Sequence, residues 1–120
     1  MLSGDALLDA VTDAMVALHL RHYNRSPAAA KTQLLGGDLI ACTLTGVYTD
    51  VEKTMIELQR QDVVHDTRQE FQTAMQHRFI AAVEGLSGRR VTSFVTSHHV
   101  GPDIAIELFL LEPEDLAPEP

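Results

Sequence analysis

Histidine is the side chain whose charge changes near neutral pH, and this chain carries six of them. His19 and His22 stand three apart, a spacing that puts both on one face of a helix, within reach of one metal ion. No cysteine or carboxylate at ligand spacing joins them, so surface or interface histidines are the better reading. His98 and His99 are adjacent, and on a strand adjacent side chains point to opposite faces, so only one of the two can join a site. That one, with Asp103 across a turn and Glu107 beyond it, makes a polar set suited to acid–base work or to a cation. Its plainer reading is solvated turn chemistry at a hairpin end. Arg68 adds a fixed positive charge, and with Glu52, Lys53 and Glu70 it reads as a solvated helical face, anion binding by Arg68 being the alternative. Arg68, His98, Asp103 and Glu107 are therefore the candidate ligand or partner site.

The motifs that declare an activity are missing. A serine nucleophile elbow needs G-x-S-x-G, which does not occur. The glycines at 36, 37, 85, 88 and 101 match neither a P-loop nor a dinucleotide fingerprint. The single cysteine, Cys42, sits in an apolar run, which excludes an internal disulfide, fits a reducing compartment and reads as a buried small hydrophobe. No catalytic residue, cofactor or metal is assigned on this reading, and an enzyme is unsupported.

A chain of 120 residues is long enough to bury a core of its own, as one domain. No apolar run approaches the roughly 20 residues that span a bilayer, so direct membrane insertion is not expected. Asp5, Asp9 and Asp13 stand where a secretory signal needs a basic region, and a cytoplasmic location follows as the expectation. The net charge of −8 opposes the phosphate contacts that supply nonspecific nucleic-acid affinity. A nucleic-acid role through Arg89 and Arg90, on a KH-like order of elements, fails on that charge. Half of it falls in the last nine residues, EPEDLAPEP, with three prolines and no base. The expectation is a single globular domain over 1–111 and a disordered acidic tail over 112–120.

Six or seven elements must position these residues. Ser3 caps a first helix from about 4 to 23, on which Leu7, Val11, Met15 and Leu18 recur at helical spacing. Asn24 to Pro27 is turn chemistry. Lys31 to Leu35 and Leu39 to Thr45 flank Gly36-Gly37-Asp38 as a hairpin. Thr49 to Glu52 is a capping box that opens a helical region running to Gly85, and Thr67 to Glu70 is a second box ahead of the stripe Phe71, Met75, Phe79, Ala82, Val83 and Leu86. An unbroken helix over 49–85 would span roughly 50 Å, against a radius of gyration of about 14 Å for a compact chain of this length. A bend between Gln61 and Asp66 is expected. Val91 to His99 and Ile104 to Leu111 form a second hairpin, and in its second strand both faces are apolar enough to need cover. Helices cover one face; the other invites a second copy. The order α-β-β-α(α)-β-β predicts an α+β two-layer sandwich, a mainly antiparallel sheet of two hairpins packed on helices.

Several of these segments also carry a resemblance. The residues Thr49, Glu52, Lys53 and Thr54, then Thr67, Arg68, Gln69 and Phe71, then Gly88, Arg89 and Val91, then Pro102 and Asp103, and finally Leu111-Glu112-Pro113, follow the pattern T-x-x-E-K-T, T-R-Q-x-F, G-R-x-V, P-D and L-E-P. In these the chain resembles, over about residues 15 to 113, the MpsC-type family of small bacterial proteins. It departs from the family pattern at Asn24 to Pro27, where relatives usually show glycines, and at Gly101, where an acidic residue is common. That family is a component of a sodium-translocating, membrane-potential-generating system. The resemblance implies an accessory protein working beside membrane subunits linked to cation movement or inorganic-carbon uptake, and it carries over no catalytic residue.

The function expected is a non-enzymatic cytoplasmic accessory, interaction or regulatory protein, a homodimer, peripheral to the inner membrane through a transport-subunit partner. The alternative is a small-ligand sensor or an unrecognised enzyme built on Arg68, His98, Asp103 and Glu107.

Overall fold

In the computed structural model, residues 1–99 and 102–113 are described. Three helices and four strands follow in the order α1 (Gly4–Tyr23), β1 (Ala29–Leu35), β2 (Leu39–Thr45), α2 (Asp50–Glu57), α3 (Gln61–Ser87), β3 (Val91–His99) and β4 (Ile104–Leu111). The strands form one antiparallel sheet in the order β1-β2-β4-β3, so the two hairpins join through β2 and β4 with Ala41 opposite Leu108. Helix α1 packs over β1 and β2, and α3 lies beside it over β3, so the sandwich is α+β with both long helices on one face. Of the expected tail 112–120, only Glu112 and Pro113 fall within the described residues.

The core lies between the helices and the strand positions that face them. Alternation places Ile40, Cys42 and Leu44 of β2 and Ala105, Phe109 and Leu111 of β4 inward, where they meet Leu7, Val11 and Met15 of α1 and Phe79 and Val83 of α3. Burial of this apolar set is the main stabilising term. One end of the interface is mainly apolar, with Thr32 and Ser87 as its buried polar residues. At the other end the same inward positions carry His19, Arg68, Gln72 and Glu107, all buried.

The expected bend lies elsewhere. The chain breaks at Leu58 to Arg60, where Gln59 adopts a left-handed φ of 64°, and α3 begins at Gln61. Thr67 therefore sits inside α3 and the second capping box is not used. The first box forms in full: the Glu52 amide donates to Thr49 Oγ1 at 3.2 Å and the Thr49 amide donates to Glu52 Oε1 at 2.8 Å. Thr67 lost the competition because three residues with no glycine or proline turned the chain earlier. No composition signal marks such a turn.

Two tight contacts hold the sheet ends. Arg89 donates to the Gly37 carbonyl at 2.9 Å, to Asp38 Oδ1 at 2.5 Å and to the Glu112 carbonyl, tying the first hairpin turn to the end of β4. At the opposite end Gly46 has φ 65°, and a Cβ there would lie 2.6 Å from the Ala28 Cβ. Gly46→Ala is expected to lower the unfolding free energy by at least about 1–2 kcal/mol from backbone strain alone. Urea unfolding reads this directly; an unchanged midpoint would mean that the Ala28 and Gly46 segments yield without cost.

Candidate functional site

Three of the four candidate residues converge at the polar end of the helix–sheet interface. Arg68 lies on the inward row of α3 that runs Val64, Arg68, Gln72, Phe79 and Val83. Glu107 takes the inward position between Ala105 and Phe109 on β4, and His98 pairs with Ala105 from β3 and points the same way. Asp103 is turned elsewhere. Its carboxylate accepts from the amides of Val47 at 2.9 Å and Tyr48 at 3.3 Å, and its carbonyl accepts from the Gly46 amide, which clasps the segment leaving β2.

Arg68 is not on a solvated face. It is 1% exposed, and its Nε and Nη2 donate to the two carboxylate oxygens of Glu52, each at 2.6 Å. Nη2 also donates to the Val47 carbonyl at 2.8 Å. The guanidinium lies over the Tyr23 ring at 3.8 Å and near the Tyr48 ring at 5.2 Å, so its charge is held by a fork–fork pair and two aromatic faces. Glu52 thus has two tasks, capping α2 and pairing Arg68. Burial opposes its ionisation, but the hydrogen bonds from Arg68 and Thr49 outweigh that and hold its carboxyl below the usual range.

His19 is the largest departure from the sequence reading, which placed it at a surface or interface. It stands one helical turn after Met15 on the stripe Leu7, Val11, Met15, and it is buried. Its Nδ1 lies 2.9 Å from the Met15 carbonyl, which can only accept, so Nδ1 carries the hydrogen and Nε2 presents a lone pair. Burial lowers its pKa to about 4, so the ring is neutral near pH 7. His98 is lowered to about 4 as well, first by burial and then by Arg68.

Glu107 faces this neutral histidine, with Oε1 3.7 Å from His19 Nε2. The Gln72 amide donates to the same oxygen over a long 3.4 Å. Burial without an ion pair pushes the Glu107 pKa up to about 7, even with Arg68 nearby. The arrangement can hold or exchange one proton between a carboxyl and an imidazole at neutral pH. It offers no activated nucleophile: Cys42 is buried and its thiol is pushed up to about 11. Among the described residues, no group of three histidine, cysteine or acidic side chains could hold a metal ion.

A groove of about 230 Å³ between α3 and β3 lies beside this cluster and touches its Gln72 and Thr96. Gln69, Thr73 and Gln76 form its wall, and Gln72 and Thr96 line it where it meets the core. Tyr23, His19, Gln72 and Thr96 belong to the cluster although sequence reading did not select them. Period alone marks His19 and Gln72, since each sits four residues after an inward residue of its helix. Thr96 is found only through its register opposite Glu107.

Among the described residues, no helix is long and apolar enough to cross a membrane. Comparison with protein families matches residues 5–113 to the model described as "Na+-translocating membrane potential-generating system (MpsC)". The match takes in all of α1 but its first residue, beyond the motifs that begin near residue 15. No curated protein and no solved structure matches the chain.

Proposed function

The chain belongs to the MpsC family, and from that premise we propose that it serves a membrane cation-transport system as a non-enzymatic accessory or regulatory protein. It acts from the cytoplasm as a homodimer and meets the membrane through a transport subunit. The observation that carries this reading is the sheet face left bare by the helices. There Leu39 and Ala41 of β2, Ile106, Leu108 and Leu110 of β4 and Val95 of β3 form an apolar band across adjacent strands. Val95 and Leu110 remain 55% and 43% exposed. An apolar strip of this kind, rimmed by Lys31, Gln33, Ser93 and Ser97, is what a protein partner covers.

Leu108 lies at its centre, between Ala41 and Val95. Sedimentation of the wild-type protein is expected to give a dimer. Leu108→Glu is expected to weaken dimerisation at least about a hundredfold, since two buried unpaired charges would face each other, while circular dichroism stays that of the folded chain. Recovery of a transport subunit with the tagged protein from native membranes tests the other half of the reading. A wild-type protein that is monomeric at working concentration and recovers no membrane subunit would overturn it.

A second reading, a small-ligand sensor, is favoured by the unsatisfied polar atoms around Glu107.

A further inference from the structure

Side chains of a strand alternate between the faces of its sheet, so a groove lined by three consecutive strand residues lies along the strand's edge. The groove between α3 and β3 is of that kind: Phe94, Val95 and Thr96 form one wall, and Gln69, Thr73 and Gln76 of α3 form the other. The sheet order β1-β2-β4-β3 makes β3 an edge strand, so one row of its backbone amides and carbonyls is not taken up by β4. The slot between the α3 flank and that row is where a fifth strand would lie. Its volume of about 230 Å³ admits small side chains of such a strand, not a folded surface.

Strand edges are commonly blunted against other chains by lysine, proline or bulges. The other edge of this sheet, β1, carries Lys31. β3 has no lysine, arginine, acid or proline from Val91 to His99, and past the register shift beside Val91 its pairing with β4 runs unbroken from Ser93 to His99. Charged residues make up 22% of the chain, yet none lines the slot. Gln72, at the inner end of the slot, is 2% exposed; its Nε2 donates to Glu107 and its Oε1 has no partner. The slot therefore offers a buried acceptor to the occupant's hydrogen-bond donor.

We propose that β3 takes an added strand, an extended segment of a transport subunit that pairs with its open edge. On the α3 side this segment carries small neutral polar residues, Ser, Thr, Asn or Gln, which meet the amides and hydroxyls of the slot. On the other side it carries apolar residues, which continue the bare sheet face beyond Val95. A charged side chain in the slot would lose water and find no counter-charge. A second copy fits less well, because its β3 would bring its own α3 over the same seam. The identity of the partner rests on the reading of the chain as a transport accessory; the strand-addition site does not, and it is tested on the isolated chain.

The experiment is an amide-resolved NMR titration of the full chain with three acetylated, amidated heptapeptides. The first alternates Thr and Val, the second has Glu in place of Thr, and the third is the first with Pro at its centre. The expected result is saturable shifts confined to β3 and to α3 from Gln69 to Gln76 with the first peptide, and binding about tenfold weaker or worse with the other two. Thr73→Arg, which puts a long charged side chain into the slot, is expected to weaken the first peptide by a similar factor while sedimentation still gives the wild-type dimer. Equal binding of the proline peptide would overturn strand pairing in favour of side-chain contacts alone. Shifts centred on Leu108 would move the peptide to the bare face, and no saturable shift at millimolar peptide would remove the site. A Thr73→Arg protein that is monomeric where the wild type is a dimer would assign the edge to a second copy. Peptide binding without recovery of a transport subunit from native membranes would keep the site and overturn the partner.

Discussion

Glu52→Ala is expected to lower the unfolding free energy by about 3–5 kcal/mol, the cost of leaving a buried charge without its partner. Arg68 is 1% exposed and commits two nitrogens to this carboxylate. The substitution also removes the carboxylate half of the α2 capping box, which adds roughly 1 kcal/mol or less. For a domain whose whole stability is of order 5–15 kcal/mol, that is a large share. The converse change is milder. Arg68→Met keeps much of the stem packing, and the Glu52 left behind has a side chain 16% exposed that still accepts from the Thr49 amide. The double variant Glu52→Ala/Arg68→Met is therefore expected to be more stable than Glu52→Ala alone. Urea unfolding of the four proteins closes a double-mutant cycle. If the double variant is the least stable of the set, the account based on an uncompensated guanidinium is wrong.

Acidification from pH 6.5 to 5 is expected to destabilise the wild-type chain, and Glu107→Gln is expected to steepen the loss. His19 and His98 have folded pKa values lowered from 6.5 to about 4. The unfolded state therefore takes up protons that the folded state refuses, and stability present above pH 6.5 is lost as the pH falls toward 4. Complete titration amounts to about 3 kcal/mol for each ring, at 1.36 kcal/mol per unit. Glu107 acts in the opposite direction. Its pKa is raised from 4.5 to about 7, so the folded state holds a proton that the unfolded state releases, and its contribution declines as the pH rises through that window. Two rings against one carboxyl leave a net loss on acidification. The charged and titratable groups facing these rings are Arg68 and His65 on α3, His22 on α1 and Glu52 on α2. His19 and Glu107 lie 3.7 Å apart, so their protons come off as a pair. Removing the carboxyl leaves the histidines unopposed, and the slope of stability against pH between 5 and 6.5 should come close to doubling. Equal slopes for the two proteins would show that Glu107 is ionised throughout.

The elements with local signals were legible. Thr49 and Glu52 close their box as three-residue spacing requires, and the glycine pair at 36 and 37, with Asp38, turns the first hairpin where expected. The second hairpin runs over the residues expected of it, Val91–His99 and Ile104–Leu111. The break between α2 and α3 was not legible, because Leu58, Gln59 and Arg60 carry no turn chemistry. Gln59 adopts its left-handed φ in the link between α2 and α3, which pack on each other. The site was legible in part. Glu107 and Arg68 stood out as charges, but Arg68 read as solvated, since a charge on a helix is normally at the surface. His19 was hidden because Leu18 satisfied the apolar period as well as it did.

What the sequence by itself determined is the class of the fold, the hairpins, the first capping box and the family, since each depends on residues close together in the chain. Only the tertiary structure decided which inward positions are polar and that they meet. Four elements contribute to the cluster of Arg68, His19, His98 and Glu107, and α2 supplies Glu52. Sequence periodicity places each on a face of its own element, but the pairing of β2 with β4 and the seating of α1 and α3 on that sheet bring the faces together. The perturbed pKa values follow from that burial, which depends on every neighbour at once and is written in no single segment.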